Sequence, residues 1–227
     1  MSDAGLVTID GPSGSGKGTI SRAVARHVRW HLLDSGALYR LVALAGLAND
    51  LAPDDISGHA QLASTMEVSF GATPDGGELV RLFGRDVTAE VRSELAGQGA
   101  SRVAAWPQVR SALLERQRAF RRPPGLVADG RDMGTVVFPE APLKIFLTAT
   151  LAERALRRHK QLKDKGSDVS LPALSREIAE RDLRDSTRKA SPLKAAADAQ
   201  VIDSTGLAID EVIDRVLVLG RDRSLWN

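Results

Sequence analysis

Residues 11–19 read Gly-Pro-Ser-Gly-Ser-Gly-Lys-Gly-Thr, and they restrict the fold more than any other segment. Before them, Leu6-Val7-Thr8-Ile9-Asp10 is a short β-branched apolar run; after them, Ile20–Val28 has the spacing of an amphipathic helix. Strand, glycine loop with lysine, then helix is the arrangement that a phosphate-cradling loop requires. Glycine lets the backbone turn tightly and aim its N–H groups at a polyphosphate. The helix start adds a partial positive charge, and Lys17 adds a full one. The candidate polyphosphate-binding residues are therefore Gly11, Pro12, Ser13, Gly14, Ser15, Gly16, Lys17, Gly18 and Thr19.

The loop departs from the common pattern at one position. A Ser or Thr normally follows the lysine and reaches a magnesium ion, but here Gly18 follows and Thr19 stands one place later. Thr19 is thus a candidate for a phosphate oxygen or a metal-bound water. The order Gly-Lys-Gly-Thr is closer to the loops of nucleoside monophosphate kinases than to those of GTPases or motor ATPases.

Five strand-like segments, Leu6–Asp10, Trp30–Leu33, Leu126–Asp129, Lys144–Thr148 and Gln200–Asp203, alternate with helical stretches. Such alternation predicts an α/β fold of the phosphate-loop NTPase type, a five-stranded parallel sheet with helices on both faces. The long interval after the second strand contains Met66–Phe70 and Glu78–Phe83, which read as strands around a Pro74-Asp75-Gly76-Gly77 turn. The expected organisation is a single unit. Its core spans about 1–35, 96–155 and 190–227, a β-rich insertion about 36–95, and a helical lid about 156–189. At 227 residues and 43% apolar composition, one core can be filled. There is no cysteine, hence no disulfide framework or thiolate metal site, and His27 with His31 lacks a third zinc ligand. No segment reads as a membrane span or a signal peptide, so a cytoplasmic protein without a membrane partner is expected.

Net charge is +2, but residues 151–194 hold 12 Lys/Arg against 7 Asp/Glu. Beside a phosphate loop, this basic segment suggests nucleotide phosphates rather than nucleic acid, for which 4% aromatics is a poor stacking platform. Arg154, Arg157 and Arg158 follow the fourth strand, and Arg181, Asp185 and Arg188 share one helix face. Together they suggest a lid closing over phosphates. Asp34-Ser35-Gly36 with Arg40, and Asp129-Gly130-Arg131-Asp132, lie at strand ends, where parallel sheets bind ligands. Asp129 occupies the place of the acidic residue that helps to hold magnesium in such enzymes.

These segments together resemble bacterial cytidylate kinases of the nucleoside monophosphate kinase family. The likeness runs through Ile9–Thr19, Trp30–Arg40, Ala100–Arg110, Gly125–Pro139, Lys144–Leu147 and Arg181–Leu193. It implies ATP-dependent phosphorylation of CMP and dCMP to CDP and dCDP with Mg²⁺, by a monomer carrying an enlarged monophosphate-binding insertion. It further implies that Ser101, Arg110 and Asp132 read cytosine, while Arg40, Arg131 and Arg188 grip the monophosphate and Arg181 and Asp185 hold the sugar; Ser35, from its strand-end position beside Arg40, is a substrate-binding candidate for a second phosphate or a sugar. Lys17, Arg131 and Arg188 would be catalytic, Arg154 and Arg158 would meet ATP, and Thr19 and Asp129 the metal. Another small-molecule kinase with a UMP, AMP or shikimate acceptor remains an alternative. So does a phosphate-loop switch or nucleic-acid-dependent ATPase, although no Asn-Lys-x-Asp guanine motif is present.

Overall fold

The computed structural model describes residues 4–73, 78–164, 166 and 168–227. The turn expected at residues 74–77, and Lys165 and Ser167 in the expected lid, lie outside the described residues. Two compact units are present, one ending at Asp34 and resuming from Gln117 to Asn227, the other Ser35–Arg116.

The first unit holds β1 (Gly5–Asp10), α1 (Lys17–Val28) and β2 (His31–Asp34). In the second come α2 (Ser35–Ala48), α3 (Ile56–Thr65), β3 (Val68–Ala72), β4 (Glu78–Leu82), β5 (Arg85–Asp86), α4 (Thr88–Val91) and α5 (Glu94–Val103), and α6 (Pro107–Arg118) begins there. The first unit then resumes with β6 (Gly125–Gly130), a π-type turn at Met133–Val137, β7 (Leu143–Thr148), α7 (Leu151–Lys163), α8 (Leu171–Thr187), β8 (Gln200–Asp203) and α9 (Ile209–Arg221).

The expected five-stranded sheet forms, in the order β2-β6-β1-β7-β8, with every pair parallel. All six residues of β6 and five of six in β1 are buried, which requires cover on both faces of the sheet. On one side α1 and α9 bring Ile20, Val24, Val212 and Val216 onto Val7, Ile9, Val127 and Ile145. The αL residue Arg29 ends α1, and the N–H of Trp30 donates to Ala25 O at 2.9 Å. Because the register pairs Asp10 with Gly130 and Asp34 with Asp129, all of these lie at the carboxyl edge of the sheet.

In the second unit β3, β4 and β5 form an antiparallel sheet, with Phe70 opposite Val80. The two-residue strand β5 is too short for a sequence pattern to reveal. The helix α2 is apolar around most of its circumference and packs on α5. Gly99 of α5 comes so close to α2 that a Cβ on it would stand 2.7 Å from Ala43 Cβ. That packing joins α5 to the second unit, so the unit extends beyond the expected boundary near residue 95.

Ile145 is fully buried in the central cluster, so Ile145→Ala leaves a cavity between sheet and helices. The expected loss is about 2–5 kcal/mol of unfolding free energy, measured by urea denaturation with the m-value unchanged.

Candidate active site

The loop after β1 is shaped by backbone contact rather than side chains. A Cβ on Gly11 would lie 2.0 Å from Leu147 O, so β7 passes against the loop at its first residue. Gly16 has φ 92° and precedes α1 without a side-chain cap; Thr19 N and Ile20 N both donate to Gly16 O. This leaves the positive end of the α1 dipole directed at the loop.

Lys17 Nζ donates to Pro12 O at 3.1 Å across the loop. Its ammonium is enclosed, and burial with the charges of Arg131 and Arg181 pushes it down to about 7 against the pull of Asp129 and Asp34. Asp129 shows the complementary strain: burial and Asp34 push it up to about 6 against Lys17, Arg131 and Arg22. Its Oδ1 is buried with no hydrogen-bond partner, and its Oδ2 lies 3.2 Å from where a Cβ on Gly18 would be. A buried carboxylate oxygen without a donor is costly, and a hard cation would satisfy it. The donors present thus suit Mg²⁺. No cluster of three or more His, Cys, Asp or Glu able to hold a metal occurs among the described residues, so phosphate and water oxygens would complete the coordination. Thr19 is exposed and lines a separate cavity on the α7 side of the loop.

Asp10, absent from the candidates read in the sequence, is almost fully buried at the end of β1. Its Oδ1 accepts from Met133 N and its Oδ2 from Gly134 N, both at 2.8 Å. Burial pushes its carboxyl up to about 7 despite those two donors, with Asp132 and Asp129 adding to the rise. Asp132, also buried, opens the turn at Met133–Val137.

Three of the expected phosphate and sugar residues meet around a fourth. Arg131 Nε donates to Asp185 Oδ2 at 3.1 Å, and Arg188 Nη1 lies 3.8 Å from Asp185 Oδ1. Burial acts to raise the Asp185 carboxyl, but the charges of Arg131, Arg181 and Arg188 outweigh it and hold the group below the usual carboxylate range. Arg188 Nε also donates to Ser191 O at 2.6 Å. The cationic cluster is therefore assembled and oriented by one buried anion on α8.

The arginines of α7 brace the loop. Arg154 donates to Ala149 O and Ser13 O, each at 3.0 Å, and forms an ion pair of 2.6 Å with Asp182 on α8. Arg157, noted among the basic residues but not among the candidate site residues, donates to Ser15 O, Ser204 Oγ and Ser204 O. Arg158 lines, with Gly14, Gly16, Thr19, Leu207, Ile209 and Val212, a cavity of about 380 Å³. One wall is the glycine loop and another is apolar, a shape suited to a flat heterocycle joined to a polyphosphate. Arg157 and Asp182 were missed because their roles depend on α7 and α8 packing together, which charge spacing alone does not disclose.

The second unit carries Ser35, Arg40, Ser101 and Arg110. Ser35 is buried at the first turn of α2. Arg40 Nη1 donates to Val91 O and Ser93 O at the end of α4. Ser101 is buried on α5, and Arg110 donates to Ala104 O at 3.1 Å with its guanidinium 5.6 Å from the Tyr39 ring centre. His31, in the first unit, has its Nε2 2.9 Å from Pro123 O.

The model of one family, described as cytidylate kinase, matches residues 7–221. A cytidylate kinase of Shewanella denitrificans is 57% identical over 213 residues, covering 93% of this chain and 94% of the relative. One from Stutzerimonas stutzeri is 56% identical over 221 residues, covering 97% and 96% respectively. One from Methylococcus capsulatus is 55% identical over 208 residues, covering 92% and 93%.

The enclosed ammonium of Lys17 has a measurable consequence. At pH 8.5 the ligand-free protein holds it largely neutral, and an arriving polyphosphate restores its charge. Binding of ATP, itself fully ionised at that pH, should take up approximately one proton per site. Calorimetry in buffers of different ionisation enthalpy measures this directly. Binding without proton uptake would show that Lys17 is already charged.

Proposed function

Because the chain belongs to the cytidylate kinase family, we propose that it transfers the γ-phosphoryl group of ATP to CMP and dCMP, giving ADP with CDP or dCDP. What carries the reading is that the family match spans the glycine loop and the Asp129–Thr135 segment alike. The first serves the donor and the second the acceptor. The polyphosphate of ATP lies along residues 11–19, and its adenosine occupies the cavity lined by Arg158, Leu207 and Val212. Arg154 acts through Ser13, whose carbonyl it holds. Residues 156–189 form the lid, which keeps water from the phosphoryl group.

The attacking group is an oxygen of the CMP phosphate, already ionised at neutral pH, so no general base is required. Catalysis is positioning and charge neutralisation. Lys17, Arg131 and Arg188 neutralise the transferring and accepting phosphates, and Asp185 keeps the two arginines oriented in the meantime. Arg40 and Ser35 serve the acceptor phosphate, and Arg181 with Asp185 the ribose. Asp129, with Thr19 on phosphate or water oxygens, would hold Mg²⁺, which when bound would supply charge neutralisation on the donor oxygens. Asp132, Arg110 and Ser101 read cytosine: a carboxylate accepts from the N4 amine, and arginine and serine donate to N3 and O2.

An ADP-release assay with CMP, dCMP, UMP, AMP and shikimate tests the reading, with CMP and dCMP expected to be turned over fastest. Lys17→Ala should lower kcat roughly 100-fold or more, as for loss of one transition-state charge contact. Near-normal turnover would remove the loop from the chemistry.

Uracil presents a carbonyl where cytosine presents the amine, so the Asp132 carboxylate attracts one and repels the other. Asp132→Ala should narrow the CMP:UMP ratio of kcat/KM by roughly 10- to 100-fold. Arg131→Ala, which removes a phosphate contact, should penalise both substrates alike. An unchanged ratio in Asp132→Ala would remove the carboxylate from base reading.

A further inference from the structure

We propose that Asp10 is a positioning residue for acceptor recognition, holding the Arg131–Asp132 segment in place by capping the turn that follows it. The inference rests on the reading that Asp132 meets the acceptor base. Asp132 stands just before the turn Met133–Val137, where an aspartate ordinarily folds its own carboxylate back onto the nearby N–H groups. It makes no such capping bond. The N–H groups of Met133 and Gly134 are taken instead by the two oxygens of Asp10, from the neighbouring strand. The Asp132 carbonyl accepts from Val136 N and Val137 N, so its backbone is fixed from the other side as well. A carboxylate imported from β1 thus does the capping, and the Asp132 side chain is kept off its own turn.

The geometry uses both oxygens of the group as acceptors. Both Asp10 oxygens are engaged at 2.8 Å, so an amide in their place would turn an NH₂ onto one of the two N–H groups. Gly134 is part of the device. A Cβ there would lie 2.8 Å from Thr8 Oγ1 and 3.2 Å from the Lys144 side chain, so only glycine brings this N–H so close to β1. One buried side chain therefore fixes the segment that carries Arg131 and Asp132.

The experiment is a double-mutant cycle on the full chain with Asp10→Asn and Asp132→Ala, reading kcat/KM for CMP and UMP and KM for ATP. Asp10→Asn should lower kcat/KM for CMP by about 10- to 100-fold, the scale of a small misplacement of a binding group. It should narrow the CMP:UMP ratio and leave KM for ATP within about twofold. In the Asp132→Ala background it should narrow the ratio no further. A folded Asp10→Asn protein with an unchanged ratio, or with equal narrowing in both backgrounds, would overturn the proposal. If Asp132→Ala itself keeps the ratio, base reading by Asp132 fails and the proposal falls with it. Hydrogen exchange on the unmodified protein covers the case in which Asp10→Asn does not fold. The Met133 and Gly134 amides should exchange at least about 1000-fold more slowly than in an unstructured chain. Exchange at the unstructured rate would overturn the capping.

Discussion

The central position of β1 in the sheet is the constraint on which the site depends. With β6 on one side and β7 on the other, its carboxyl end is met by Gly130, and the loop that follows runs against Leu147. The chain leaves β1 for β2 at one edge and later passes from β6 to β7 on the other side. Strand connections diverge at such a point, and a crevice opens beyond the strand ends. The parallel register then delivers Asp10, Asp34 and Asp129 to that edge as a consequence of ordinary strand pairing. Burial of both sheet faces makes this register stringent, because a slip of one residue would invert every side chain of a strand.

What the edge gathers is electrostatically uncomfortable without a ligand. Lys17 is pushed down and Asp129 and Asp10 are pushed up, each chiefly by burial. Such displaced groups cost stability in the ligand-free protein and become useful when a polyanion arrives. The arginines are treated differently. Arg131 and Arg188 are held by Asp185, and Arg154 by Asp182 and the loop carbonyls, so their orientation is set beforehand by anions on α8. Such pre-organisation limits the rearrangement needed during transfer.

The sheet was readable from the sequence because each strand is a short apolar run next to a glycine-rich or charged break. The run Leu6–Asp10 became Gly5–Asp10, and Gln200–Asp203 was unchanged. The tight turn after β1 was readable because its glycines answer local backbone requirements. Asp10 was not, since a lone acidic residue ending an apolar strand gives no sign that its partners lie 123 and 124 residues away. The extent of the second unit was also hidden. The small residues of α5 look like an ordinary helix surface until the apolar circumference of α2 is seen to require them. Ser101 and Arg110 would have passed as surface residues for the same reason, although both are buried.

The substitution of Gly18 for the usual hydroxyl residue now has a local cause. Asp129 Oδ2 stands 3.2 Å from where a Cβ at position 18 would be, closer than ordinary van der Waals contact. A serine or threonine there would press the carboxylate away from the loop, and Asp129 is buried at the end of β6 with little room to retreat. Glycine lets the carboxylate lie directly against the first turn of α1. Thr19, one place later, lines the cavity on the α7 side. Loop sequence and strand-end acid are therefore linked: any side chain at position 18 would crowd the Asp129 carboxylate.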